Sequence, residues 1–229
     1  DLSGILMTLT SVLVFAGVAA LMSLVTHTRA RLYLLLGTSI LAVYALQPAL
    51  PVRGLDFWLP TATLALTVFG WVLTTPAELL RGRNTWPAVV MLGTIVLLLG
   101  LSRYLPFSLP LTASRPPQVL QIEVVLVLLV LVVSLLGLFL RPGRIALVVG
   151  ATLVILLFLV LKVPQLALGV SAVLRRSNGQ SVQTASALDL RWLGFSYIAF
   201  RLLHTLRDRQ TGRLPAVPLA EYVGYMLFF

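Results

Sequence analysis

The chain contains no cysteine, which excludes disulfide staples and thiolate metal sites. Histidine is nearly missing as well. His27 and His204 are too few to build a metal centre from protein imidazoles alone. Charge is scarce, at 10% of residues, where a soluble domain uses roughly 25% to cover its surface. Acidic residues are scarcest, seven against seventeen basic ones, which leaves a net charge of +10. In a soluble domain that excess points to nucleic acid. Here the arginines stand singly or in pairs at the ends of apolar runs, where aqueous loops meet headgroups, so no nucleic-acid partner is expected. The sequence holds no HExxH pair, no glycine-rich phosphate loop, no nucleophile elbow and no internal repeat.

What remains is hydrocarbon. Hydrophobic residues make up 59% of the chain, with a mean hydropathy of +1.01. They lie in long runs, and a bilayer is the solvent that tolerates such runs. The expectation is an all-α polytopic transmembrane protein with about seven spans and the start of an eighth, residues 1–229 forming a single transmembrane domain. The first span runs from Ser3 to Thr26 and the second from Leu32 to Leu46, stopped by Pro48 and Pro51. The third covers Phe57 to Thr75, and the fourth runs from Pro87 to Tyr104. The fifth, Gln118 to Leu140, is nearly pure Leu and Val, and the sixth follows from Ile145 to Val163 after a tight turn. Those two are expected to form an antiparallel hairpin. Gln165 to Arg176 either prolongs the sixth span or lies in the interface as an amphipathic helix. The seventh span covers Leu190 to Asp208, and the eighth starts near Pro218.

Basic residues in alternate loops set the orientation. Arg29, Arg31, Arg81, Arg83, Arg141, Arg144, Arg207, Arg209 and Arg213 lie on one side, outnumbering those on the other, and that side is expected to be cytoplasmic. The chain starts at Asp1 without a methionine and stops at Phe229 within an apolar run, so it is expected to be part of a longer polypeptide.

Most of the spans carry little chemistry. Glu123 and Lys162 sit near span ends and read as interfacial groups. The seventh span differs. Helical spacing puts Ser196, Phe200, His204 and Asp208 on one stripe, with Tyr197 and Arg201 on the adjacent one. Lipid penalises such a face, so it is expected to point into the protein or toward water. The His204–Asp208 pair could fix an imidazole tautomer. The plainer reading is polar packing, with Arg207, Asp208 and Arg209 simply interfacial. Glu221, Tyr222 and Tyr225 read as a first-turn acid with interfacial tyrosines.

The segment Gly194-Phe-Ser-Tyr-Ile-Ala-Phe200, followed by Asp208 and Gly212, resembles a pattern of membrane-bound O-acyltransferases, G-[ILF]-S-[FY]-x-x-F…D-x-x-x-G. Its likeness is to the bacterial branch that includes the alginate O-acetylation and teichoic-acid D-alanyl transfer proteins. Leu219 to Phe229 resembles the family's next, tyrosine-rich helix. The resemblance is concentrated in Trp192 to Phe229, and the earlier spans match only in hydropathy. It implies the N-terminal part of an enzyme in the bacterial cytoplasmic membrane. That enzyme would move an acyl group from a thioester donor to a hydroxyl acceptor, with membrane lipid around it.

By the same resemblance the catalytic histidine lies well after this motif, so His204 does not fill that place. No catalytic residue, metal or covalently bound cofactor is then expected in this chain. Gly194, Ser196, Tyr197, Phe200, Arg201, His204, Asp208 and Gly212 are the motif and candidate tunnel-lining residues. Arg201 and His204 depart from the usual Gln or Ser of better-known members. The silent Leu/Val helices leave open a non-enzymatic membrane subunit working with protein partners. Arg201 leaves open a transporter or flippase.

Overall fold

The computed structural model describes residues 10, 12–18, 20, 21, 24, 27–80, 82, 85–105, 111–139 and 143–227. Every regular element among them is helical. In order they are α1 (Thr28–Leu46), α2 (Leu55–Thr74), α3 (Ala77–Leu80), α4 (Trp86–Leu101), α5 (Val119–Phe139), α6 (Arg144–Lys162), α7 (Pro164–Ser177), α8 (Phe195–Gln210) and α9 (Leu219–Leu227). Short 3₁₀ turns at Ser102–Tyr104, Val182–Thr184 and Ala187–Leu190 link them.

Five helices are long and apolar enough to cross a membrane: α1, α2, α4 with its 3₁₀ extension, α5 and α6. This makes the chain an integral membrane protein by the length and composition of its helices. The expected count of seven is not reached among the described residues, and each difference has a cause. The Ser3-to-Thr26 span lies mostly outside those residues, although 12–18 are helical. The seventh breaks in two, because Gly194 adopts a left-handed φ of 70° and the helix restarts only at Phe195. The resulting α8 has 16 residues, about 24 Å at ~1.5 Å per residue, short of a ~30 Å hydrocarbon core. Gln165 to Arg176 does not prolong α6. Val163 is extended, Pro164 opens α7, and Ala167, Ser171 and Arg175 form the buried face of a separate amphipathic helix.

The centre of the bundle is α2, the most buried of the spans. Along it Thr61, Thr63, Thr67 and Thr74 are buried, and each hydroxyl donates to a backbone carbonyl one turn back. That satisfies the polar group inside the helix's own ladder. Two of these threonines also tie neighbours to α2. Tyr44 Oη lies 2.8 Å from Thr61 Oγ1, and Trp192 Nε1 donates to Thr63 Oγ1 at 2.8 Å. Gly70 lets α8 and α9 approach closely. A Cβ there would stand 2.5 Å from Leu202 Cδ2 and 2.9 Å from Tyr222 Oη. Small residues serve this purpose in membranes, where lipid offers apolar side chains as good an environment as a neighbouring helix does.

Hydrogen bonds fix which helix ends lie together. Gln47 Nε2 donates to the Arg191 carbonyl at 2.7 Å, and Leu193 N–H donates to Gln47 Oε1. Gln180 bonds to Pro51 and Arg53 in the same way. The end of α1, the start of α2 and the segment before α8 therefore share one end of the bundle. At the opposite end Trp71 Nε1 donates to the Val217 carbonyl.

The fifth and sixth spans are not a closely packed hairpin. α5 rests on α4 and α2, while α6 rests on α8, α7 and α2, and the two are splayed. α5 is the least buried of the spans, with Ile122 its one fully buried residue among those described and Leu126, Val133 and Leu136 packed partly against the core, as its uniform Leu/Val surface leads one to expect of a lipid-facing helix.

Candidate functional site

α8 carries the motif and candidate tunnel-lining residues, apart from the glycines that flank it. Gly194, at φ 70°, is its N-cap. Gly212, at φ 73°, follows its C-terminus. There Gly212 N–H donates to the Arg209 carbonyl and Arg213 N–H to the Asp208 carbonyl, at 3.2 and 2.8 Å. This is a Schellman cap, which sets a left-handed residue four positions after the carbonyl that closes the outer bond. The cap accounts for the glycine at 212, whose left-handed turn it needs, while the carbonyl it uses at 208 is one that any residue supplies.

The polar stripe does not point inward. The buried face of α8 is Phe195, Ile198, Ala199, Leu202, Thr205 and Leu206. Phe200 is 63% exposed and the His204 side chain 69%. Tyr197 is exposed too, while Ser196 and Asp208 are half-buried. The reason lies in the apolar residues, which lie on the opposite side of the helix from the polar stripe and take the side packed on α2 and α6. Phe200 lies against Phe158 of α6, with ring centroids 5.8 Å apart.

Within the stripe the expected contacts form. His204 Nδ1 stands 3.1 Å from Asp208 Oδ2. With the carboxylate accepting from Nδ1–H, the neutral ring presents Nε2 outward as an acceptor. The Arg201 guanidinium lies 4.0 Å from the Tyr197 ring centroid and 4.5 Å from that of Tyr225, and it donates to the Tyr225 carbonyl. Arg201 thus holds α9 to α8 through a two-sided cation–π contact. Tyr222 is not an interfacial residue. It is buried, with its hydroxyl 3.0 Å from Thr205 Oγ1. Lys162 is exposed, its ammonium 5.8 Å from the Phe158 ring centroid.

Two features escaped the sequence reading. One is a buried polar cluster that joins α7 to the Ala187–Leu190 turn. Asp189 Oδ2 accepts from Arg175 Nε and from Ser171 Oγ, each at 2.6 Å, and Arg175 also reaches Thr184. The Arg175 hydrogen bond holds the Asp189 carboxyl below the usual carboxylate range. Bonds from Ser171 and the Ser186 N–H act the same way, and burial opposes them. The spacing Ser186-x-x-Asp189 was a legible signal, since it forms a capping box here. The other feature is Asp56, buried in the first turn of α2, whose Oδ1 has no hydrogen-bond partner among the described residues.

Two cavities border the inner side of α8. An apolar groove of about 710 Å³ runs between the splayed α5 and α6. Its floor includes Ala62, Ala65 and Phe69 of α2, and its side includes Leu202 and Leu206. A polar cleft of about 520 Å³ lies at the end of the bundle among Arg144, Leu147, Arg209, Gln210 and Thr211. None of Ser196, Tyr197, Phe200, Arg201, His204 or Asp208 lines either space.

Compared with known proteins, the chain matches no family model, no curated protein and no solved structure.

Proposed function

We propose that this chain belongs to a membrane O-acyltransferase, of which it supplies the N-terminal scaffold helices. The observation that carries the reading is the backbone at the two pattern glycines. Gly194 and Gly212 bracket α8 at positive φ, a role a side chain would strain. The acyltransferase-like pattern thus has a structural reason at both of its ends.

The outward edge of α8 is compatible with the same reading. His204 and Asp208 bond to each other near the Arg209 end of the helix, and the remaining polar atoms of the pair would face headgroups, water or a further layer of protein. The reaction is acyl transfer. A hydroxyl oxygen of the acceptor attacks the thioester carbonyl and forms the ester C–O bond. The C–S bond breaks, and the thiolate leaves. A general base takes the hydroxyl proton and passes it to the leaving sulfur. In this reading the base is a membrane histidine C-terminal to Phe229, and His204 is a positioning group at the tunnel edge. The membrane is the bacterial cytoplasmic membrane, with the Arg29 and Arg207 end inside.

Histidine substitution in the full polypeptide tests the assignment. His204→Ala is expected to lower acceptor-dependent thiol release by less than the ~10²–10⁴-fold that loss of a general base costs. Alanine at a single downstream membrane histidine is expected to abolish it. Loss of release in His204→Ala, with every downstream histidine dispensable, would overturn the assignment.

A further inference from the structure

The groove and the cleft lie along one continuous side of α6. Arg144, Leu147, Gly150 and Val154 recur at three and four residues, so one helical stripe leads from the cleft into the groove. α8 runs antiparallel to it, with Leu202 and Leu206 on the groove and Arg209 on the cleft. Leu73 and Leu206 line the groove and Leu147 lines the cleft, and the three form one buried apolar cluster that separates the two spaces.

The chemistry of each space is distinct. The groove walls are almost entirely hydrocarbon, and they open between the two helices most exposed to the surroundings. A groove of that kind in a membrane is filled by hydrocarbon, because water there would lack partners. Its volume of about 710 Å³ falls in the ~300–1,000 Å³ range of small-molecule sites. The cleft offers two guanidinium groups at the end of the bundle, with a threonine and a glutamine beside them. Neither Arg144 nor Arg209 has an acidic partner among the described residues, where the ion pairs are Arg175–Asp189 and His204–Asp208. Paired guanidinium groups at headgroup depth match phosphate oxygens in charge and in geometry.

We propose that the groove and the cleft together bind one anionic phospholipid of the bilayer, with an acyl chain along the α5–α6 groove and the phosphate between Arg144 and Arg209. The site stands apart from the His204 edge of α8 and does not depend on the acyl-transfer reading.

Native mass spectrometry of the full polypeptide, titrated with phosphatidylglycerol or phosphatidylcholine of matched chains, tests the site. Phosphatidylglycerol is expected to bind more tightly. Arg144→Gln with Arg209→Gln is expected to weaken it roughly twenty-five-fold, about fivefold for each basic residue at a membrane surface, and to weaken phosphatidylcholine less, because its choline offsets the phosphate charge, so that the preference between the two lipids narrows. Leu153→Trp changes an exposed groove residue, so the fold is not at stake, and it is expected to weaken both lipids. Equal affinity for the two lipids, or an unchanged preference in the arginine double variant, overturns the proposal. So does complete displacement by inorganic phosphate with Leu153→Trp silent, which assigns the cleft to a free anion and leaves the groove without a role.

Discussion

Asp189 shows how a single carboxylate organises an irregular segment. It accepts hydrogen bonds from α7 and from the backbone that opens its own turn, and so fixes the path between α7 and α8. Its carboxyl titrates below the usual range in the folded chain, so the stability it contributes is complete above the unfolded value of ~3.9. That stability is lost as pH falls through the lower, folded value. Asp189→Asn is therefore expected to lower the thermal midpoint at neutral pH. The gap should narrow as pH falls below about 3.9, as the parent loses its charge as well. Melting curves of the two proteins across that range check this, and curves that stay parallel would refute it. At this scale the sequence was partly legible. The His204–Asp208 contact follows from i, i+4 spacing alone. Arg175, Ser171 and Asp189 meet across an intervening loop, which spacing does not reveal. Tyr222 and Tyr225 differ in the same way: one is buried and the other lies on Arg201, and only the packing of α9 decides which.

Among the elements, α2 is the axis on which the others depend, and its contact with α8 and α9 passes through Gly70. Gly70→Val would drive side-chain atoms into Leu202 and Tyr222. Overpacking of this kind costs about 1–3 kcal/mol, with ~2–4 °C in thermal midpoint for each kcal/mol in a domain of this size. Thermal unfolding in detergent measures it, and an unchanged midpoint would mean that α2 and α8 are not in close contact. Long apolar helices were readable at this scale because bilayer thickness sets their length. The boundaries of α2, α5 and α6 fall within two residues of those expected. The face of α8 was not readable. Its polar residues form a neat stripe, but the direction of that stripe depends on the apolar arc and on the neighbours that cover it. The splaying of α5 from α6 was hidden for a related reason. A tight turn dictates that two helices run antiparallel, and side-chain volume on α2 decides whether they touch.

For the molecule as a whole, composition identified the solvent and the class of fold. Scarce charge, long apolar runs and arginines at their ends describe a helical membrane protein, and five helices meet the length and hydropathy that a crossing needs. A function is suggested only by the stretch around α8, where a short pattern resembles the membrane O-acyltransferases and both of its glycines take left-handed backbone. The measurement that bears most directly on the proposal is product formation. The full polypeptide, reconstituted in lipid, would be given a thioester carrying a labelled acyl group together with a hydroxyl acceptor. The label is expected to appear on the acceptor as an ester, in step with release of free thiol. Thiol release without ester, or neither across short and long acyl donors, would contradict acyl transfer and leave a membrane scaffold without this chemistry.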